Sequence, residues 1–179
     1  MRSIFFCILV IFGMNAQAQV TKVSLQASGL TCSMCSKAVK MALEEVAFVE
    51  KVQVNIKTQE YNLSFKQGMT VDFDALNKAV QDAGFSVAAL QVTALVQQKK
   101  LQKDEHHKIG EQYFHFLNAS NQLLDGLVSL SLVDKGFVSP KEFKKYAALT
   151  KMACVQTGRM EKCCSADVSK DARLYHVFI

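Results

Sequence analysis

Apolar and polar positions between residues 19 and 92 alternate between two rhythms. Val23, Leu25 and Ala27 alternate with Ser24 and Gln26, which predicts a half-buried strand that Gly29 ends. Val39, Ala42, Leu43 and Val46 then recur at i, i+3, i+4 and i+7, one stripe of a helix that starts near Cys35. Val52, Val54 and Ile56 give a second strand and Tyr61, Leu63 and Phe65 a third, with Lys57 to Glu60 as the hairpin between them. Asp72 is placed to cap a second helix whose stripe is Phe73, Leu76, Ala79, Val80 and Ala83, closed by Gly84. Phe85 to Val92 reads as a fourth strand. The order β-α-β-β-α-β is the split βαβ, or ferredoxin-like, arrangement, with both helices on one face of an antiparallel sheet.

Beyond this unit the pattern changes. Gln97-Gln98-Lys99-Lys100 and Lys103-Asp104-Glu105-His106-His107-Lys108 are strongly polar, so residues 93–111 are expected to be a linker and the histidine pair to be solvated. Residues 112–179 return to period two: Phe114 and Phe116 around His115, Val128, Leu130 and Leu132 around serines, and Tyr175, Val177 and Ile179 at the end. Ser139-Pro140-Lys141-Glu142 carries a capping box with proline in the first turn, so one helix follows it. A small β-rich domain with one helix is expected here, the alternative being a mostly helical half in which 122–132 is also helix. The fold class is α+β.

Composition adds compartment. Residues 1–18 read as a signal peptide, with Arg2 as the basic start, Ile4 to Met14 as the apolar stretch and Ala16-Gln17-Ala18 as the cleavage site. No later apolar run approaches the length of a membrane span, so a protein without a span after signal removal, periplasmic or secreted, is expected. The net charge of +5 is mild and dispersed, which disfavours nucleic acid as a partner. Of six cysteines, Cys7 falls in the signal segment and five remain, an odd number that cannot pair fully within one chain.

Two of the five sit between the first strand and the first helix, in Gly29-Leu30-Thr31-Cys32-Ser33-Met34-Cys35. A Cys-x-x-Cys alone serves redox enzymes and zinc sites equally. Its position at a helix start favours thiolate, and two converging thiolates without further ligands suit a soft ion of low coordination number. A disulfide between them would close too small a loop to restrain the unfolded chain much. The segment resembles the Gly-Met-Thr-Cys-x-x-Cys signature of the heavy-metal-associated domain, and the resemblance extends over about residues 20–92. That domain occurs in copper chaperones, copper-transporting P-type ATPases and the periplasmic mercury-binding protein. The resemblance implies that Cys32 and Cys35 bind metal, that Phe85 packs beside them, and that Leu30, in place of the usual methionine, props the loop from below.

The expected function is therefore non-enzymatic: an exported protein that binds and transfers Cu(I), with Hg(II), Ag(I) and Zn(II) as the other candidate ions. A copper-transporting ATPase or another metal-binding protein is the expected recipient. Mercury scavenging and thiol–disulfide exchange by the same cysteines are the rival readings. No Ser/His/Asp set, phosphate-binding glycine loop or paired-carboxylate constellation is recognisable. Cys154, Cys163 and Cys164, near Met152, Met160 and His176, admit either a disulfide with one thiol over or a second soft-metal site, and the disulfide is favoured because exported cysteines usually pair.

Overall fold

Val23, Leu25 and Ala27 point inward from the first strand of the sheet, β1 (Gln19–Ser28). This computed structural model describes residues 19–161 and 171–179, so the expected signal segment with Cys7, and Cys163 and Cys164, lie outside the described residues. Helix α1 (Ser33–Glu44) follows, then β2 (Val49–Asn55), β3 (Glu60–Phe65), α2 (Phe73–Asp82) and β4 (Ser86–Leu101). β1 lies between β3 and β4, antiparallel to both, and β2 flanks β3. Val39 and Leu43 of α1 and Phe73, Leu76 and Val80 of α2 are buried, so the two expected stripes form the inner layer. Asp72 caps α2, accepting from the backbone N–H groups of Asp74 and Ala75.

The stretch 93–111, expected to be a polar linker, is a correction. β4 continues to Leu101: Leu90, Val92, Ala94 and Val96 keep one alternation and are all buried, and an irregularity in the β4–β7 register between Val96 and Lys99 then brings Leu101 inward. β5 (His106–Ile109) then turns back into β6 (Gln112–Phe116). The charged and polar residues here lie on strands with one solvated face and, from Gln102 to Glu105, in the turn that joins β4 to β5, so they are no tether, and lysine on an edge strand such as β5 discourages stray pairing.

β7 (Gln122–Leu132), α3 (Pro140–Ala147), a one-turn α4 (Cys154–Thr157) and β8 (Leu174–Phe178) complete the chain. The stretch 122–132 is strand, not helix, and α4 is a helix that the sequence pattern does not predict. Among the described residues all strands join one eight-stranded sheet in the order β2-β3-β1-β4-β7-β8-β6-β5. β7 runs antiparallel along β4 from Leu90↔Leu132 to Leu101↔Gln122, and β8 sits between β7 and β6, parallel to β6. The second half therefore extends the sheet of the first. Phe114 and Tyr175 reach under α2 to Phe73, with ring centroids 6.2 and 4.9 Å from it, and Arg173 Nε donates to Asp74 Oδ2 at 2.6 Å.

Candidate metal centre

Gly29 turns the chain off β1 at φ +85°, a conformation that L side chains rarely adopt. Phe85 lies against this turn, 3.8 Å from where a methyl on Gly29 would stand, and Leu30 packs on the main core from the loop. The loop is thereby fixed from below. Cys32 becomes the N-cap of α1, extended at φ −153° and ψ 166°, and its side chain makes no cap bond. A serine or aspartate there would satisfy an orphan N–H; cysteine leaves the helix start open, and no acidic residue occupies the first turn. The positive end of the helix dipole is therefore directed at the two sulfurs.

Cys35 stands in the first turn, half-buried, and Cys32 is exposed. Their sulfurs are 3.1 Å apart. The Cys32 thiol is the largest influence holding the Cys35 thiol below the ordinary cysteine range, with the backbone and hydroxyl of Thr31 adding to it. Behind the pair, the buried Tyr61 donates from its hydroxyl to Ser36 O at 3.3 Å, tying the first turn of α1 to β3. Met34 is exposed and Lys37 likewise, while Lys40 is engaged by Glu44 at 3.0 Å.

A second group of donors lies across the sheet. His106 on β5 pairs directly with His115 on β6, and His115 with His176 on β8, so the three imidazoles form a row on one face. Ring centroids are 4.9 Å apart for the first pair and 5.0 Å for the second. Cys154 of α4 covers the row, its sulfur 3.9 Å from His106 Nε2 and 3.8 Å from His115 Nδ1. Burial, reinforced by His176 and His106, pulls His115 down to about 4, so its ring is neutral at physiological pH. His115 Nε2 lies 3.2 Å from Asp104 Oδ1, and His176 Nδ1 lies 2.6 Å from the buried Asp134.

Of the distal residues singled out in the sequence, the fold gathers Cys154 with Met160 and Met152 in a small apolar cluster and sets His176 in the histidine row. The expected solvated histidine pair is corrected: strand alternation sends His106 to the Cys154 face and His107 to the other, against Phe116 at 5.7 Å. His115 carries no signal in the sequence beyond sitting between two phenylalanines. Only the strand register shows what it faces.

The heavy-metal-associated domain model matches residues 24–86, the stretch that holds the Cys32–Cys35 loop. The mercuric transport protein periplasmic component of Serratia marcescens is 38% identical over 68 residues, which is 38% of this chain and 74% of that protein. A probable copper-exporting P-type ATPase of Archaeoglobus fulgidus is 30% identical over 64 residues, and the match spans only 8% of the ATPase. Among solved structures, oxidized MerP from Ralstonia metallidurans CH34 is 35% identical, with 40% of this chain and 94% of that one covered at a TM-score of 0.35. No helix among the described residues is long and apolar enough to cross a membrane. With its signature loop inside the matched stretch and 38% identity sustained over three quarters of the Serratia protein, the chain belongs to the heavy-metal-associated domain family.

Proposed function

We propose that the chain is an exported, non-enzymatic protein that captures Cu(I) between Cys32 and Cys35 and passes it on by thiolate exchange. The carrying observation is the pair of sulfurs 3.1 Å apart at an exposed helix start with neither a side-chain cap nor a first-turn acid. A soft ion of low coordination number suits such a pair, because two thiolates fill its coordination and the open helix terminus stabilises their net negative charge. Metal–thiolate bonds of about 2.3 Å set two sulfurs about 4.6 Å apart in a linear grip, so loading draws the pair open. Cys32, exposed on the loop side, is free to make that movement, while Cys35 is held by the helix.

Transfer needs no redox step. A thiolate of the recipient adds to the ion, one of this chain's cysteines leaves and takes up a proton, and a second exchange completes the hand-over. Similarity to the copper-exporting ATPase supports a recipient of that class. Export is supported by the signal-like composition of residues 1–18 and by the periplasmic relative. That relative also favours a second reading, in which the cargo is Hg(II) held by the same two sulfurs.

The test is chelator competition on reduced protein. Cys32→Ser combined with Cys35→Ser should lose the Cu(I) equivalent held by this loop while retaining the native circular dichroism spectrum. An unchanged number of tightly held ions would overturn the proposal. Titrating Cu(I)-loaded protein with Hg(II), and the reverse, orders the two ions.

A further inference from the structure

We propose that His106, His115 and Cys154 form a second metal site, with three donors among the described residues and suited to Cu(I), on the sheet face opposite α1 and α2. It goes beyond the Cys32–Cys35 reading and does not depend on it. The residues come from three elements, β5, β6 and α4, and converge because the β5–β6 register sets the two histidines side by side while α4 lays Cys154 across them. Phe114, next to His115, points the other way to Phe73 of α2, which fixes the face.

The two sulfur–nitrogen separations match those around a trigonal ion. Bonds of about 2.3 Å to sulfur and about 2.0–2.1 Å to nitrogen, spread at about 120°, separate sulfur from nitrogen by about 3.8 Å. A tetrahedral spread of about 109° would bring them to about 3.6 Å. The observed separations are 3.9 and 3.8 Å, and all three donor atoms lie within 4.8 Å of one another. Both nitrogens therefore stand at a distance from the sulfur that one shared ion bridges.

The surroundings agree. Asp104 engages His115 Nε2, which orients the ring and leaves Nδ1 to face the sulfur, the arrangement that metal-bound histidines usually show. Cys154 and His115 are fully buried, and Met160 and Leu174 pack around the sulfur, so water is largely excluded. Sulfur and imidazole donors of this kind suit a soft ion of low coordination number, whereas structural Zn(II) sites take four ligands. His106, half-buried at the sheet edge, provides the way in. His176 stands behind His115 with Nδ1 engaged by Asp134 and Nε2 buried without a hydrogen-bond partner among the described residues, so the row ends in a further imidazole nitrogen.

The experiment is an anaerobic Cu(I) titration of the full chain carrying Cys32→Ser and Cys35→Ser, against a competing chelator, with X-ray absorption on the loaded sample. One equivalent should remain, its first shell fitted by one sulfur and two imidazole nitrogens. His106→Ala and Cys154→Ser, each added to that background, should abolish it. His106→Ala lies on an edge strand, so it reports even if Cys154→Ser fails to fold. No equivalent in the double variant, a shell of sulfur alone, or Zn(II) taken in preference when both ions are offered would each overturn the proposal. Wild-type stoichiometry separates the two sites: if only the present one exists, the wild type takes a single ion that survives loss of Cys32 and Cys35 and disappears with His106.

Discussion

At the scale of residues, the metal loop is an exchange of stability for chemistry. Position 32 is where a helix gains most from serine or aspartate, yet it holds a cysteine whose side chain caps nothing. Gly29 does the opposite work, since its φ of +85° is what swings the loop away from β1. The space beside it is ordinary: a methyl there would meet Phe85 at 3.8 Å, a normal contact. Gly29→Ala is therefore expected to cost about 1–2 kcal/mol through backbone strain, not through a clash. In urea unfolding this should appear as a lower midpoint at an unchanged slope. The same substitution should weaken Cu(I) binding by the loop, because relief of the strain moves Cys32 away from Cys35.

At the scale of elements, caps and stripes are the most legible features. The sequence Ser139-Pro140-Lys141-Glu142 predicts the start of α3, and the structure carries both halves of its box: Glu142 N–H donates to Ser139 Oγ at 3.3 Å, and Ser139 N–H to Glu142 Oε2 at 3.1 Å. Ser139→Ala should cost about 1 kcal/mol in thermal or urea unfolding at neutral pH. The Ser139 hydroxyl, donating to Glu142 Oε2 at 2.7 Å, is the main cause that holds the Glu142 carboxyl below its usual range, helped by the Ser139 backbone. A lowered folded-state value means that this contribution is present above the ordinary carboxylate range and is lost as pH falls through the lowered one. The difference between wild type and variant should accordingly shrink in acid. A difference that persists unchanged at low pH would assign the cost to the hydroxyl cap alone. β4 is the instructive failure: Leu90, Val92, Ala94 and Val96 continue one alternation across the expected boundary at residue 92, but the polar composition that follows masks it. The Cys32–Cys35 site is legible because its ligands are local in sequence. The His106–His115–Cys154 group is not, because strand register and a one-turn helix assemble it from positions that carry no shared motif.

At the scale of the whole molecule, the consequence of β4 is that the chain builds a single sheet from a ferredoxin-like half and an extension. In the first half taken alone, the order β2-β3-β1-β4 would make β4 an edge. Here β7 covers it from Leu90 to Leu101, and Arg173 and Tyr175 fasten the extension to Asp74 of α2. A fragment of residues 19–101 retains every strand and helix of the ferredoxin-like half, with β4 entire, so it should fold and hold one Cu(I) at Cys32 and Cys35. What it loses is the cover on β4, whose N–H and C=O groups from Leu90 onward pair with β7 in the full chain. An uncovered strand of this kind is a template for pairing with another copy. Sedimentation velocity over a range of concentrations should therefore show the fragment self-associating through that edge, and Thr93→Lys, on the face of β4 away from the helices, should reduce the association. A fragment that stays monomeric at all concentrations would mean that β4 protects its own edge, and that β7 is there to carry the histidine-bearing strands and not to shield the metal-binding half.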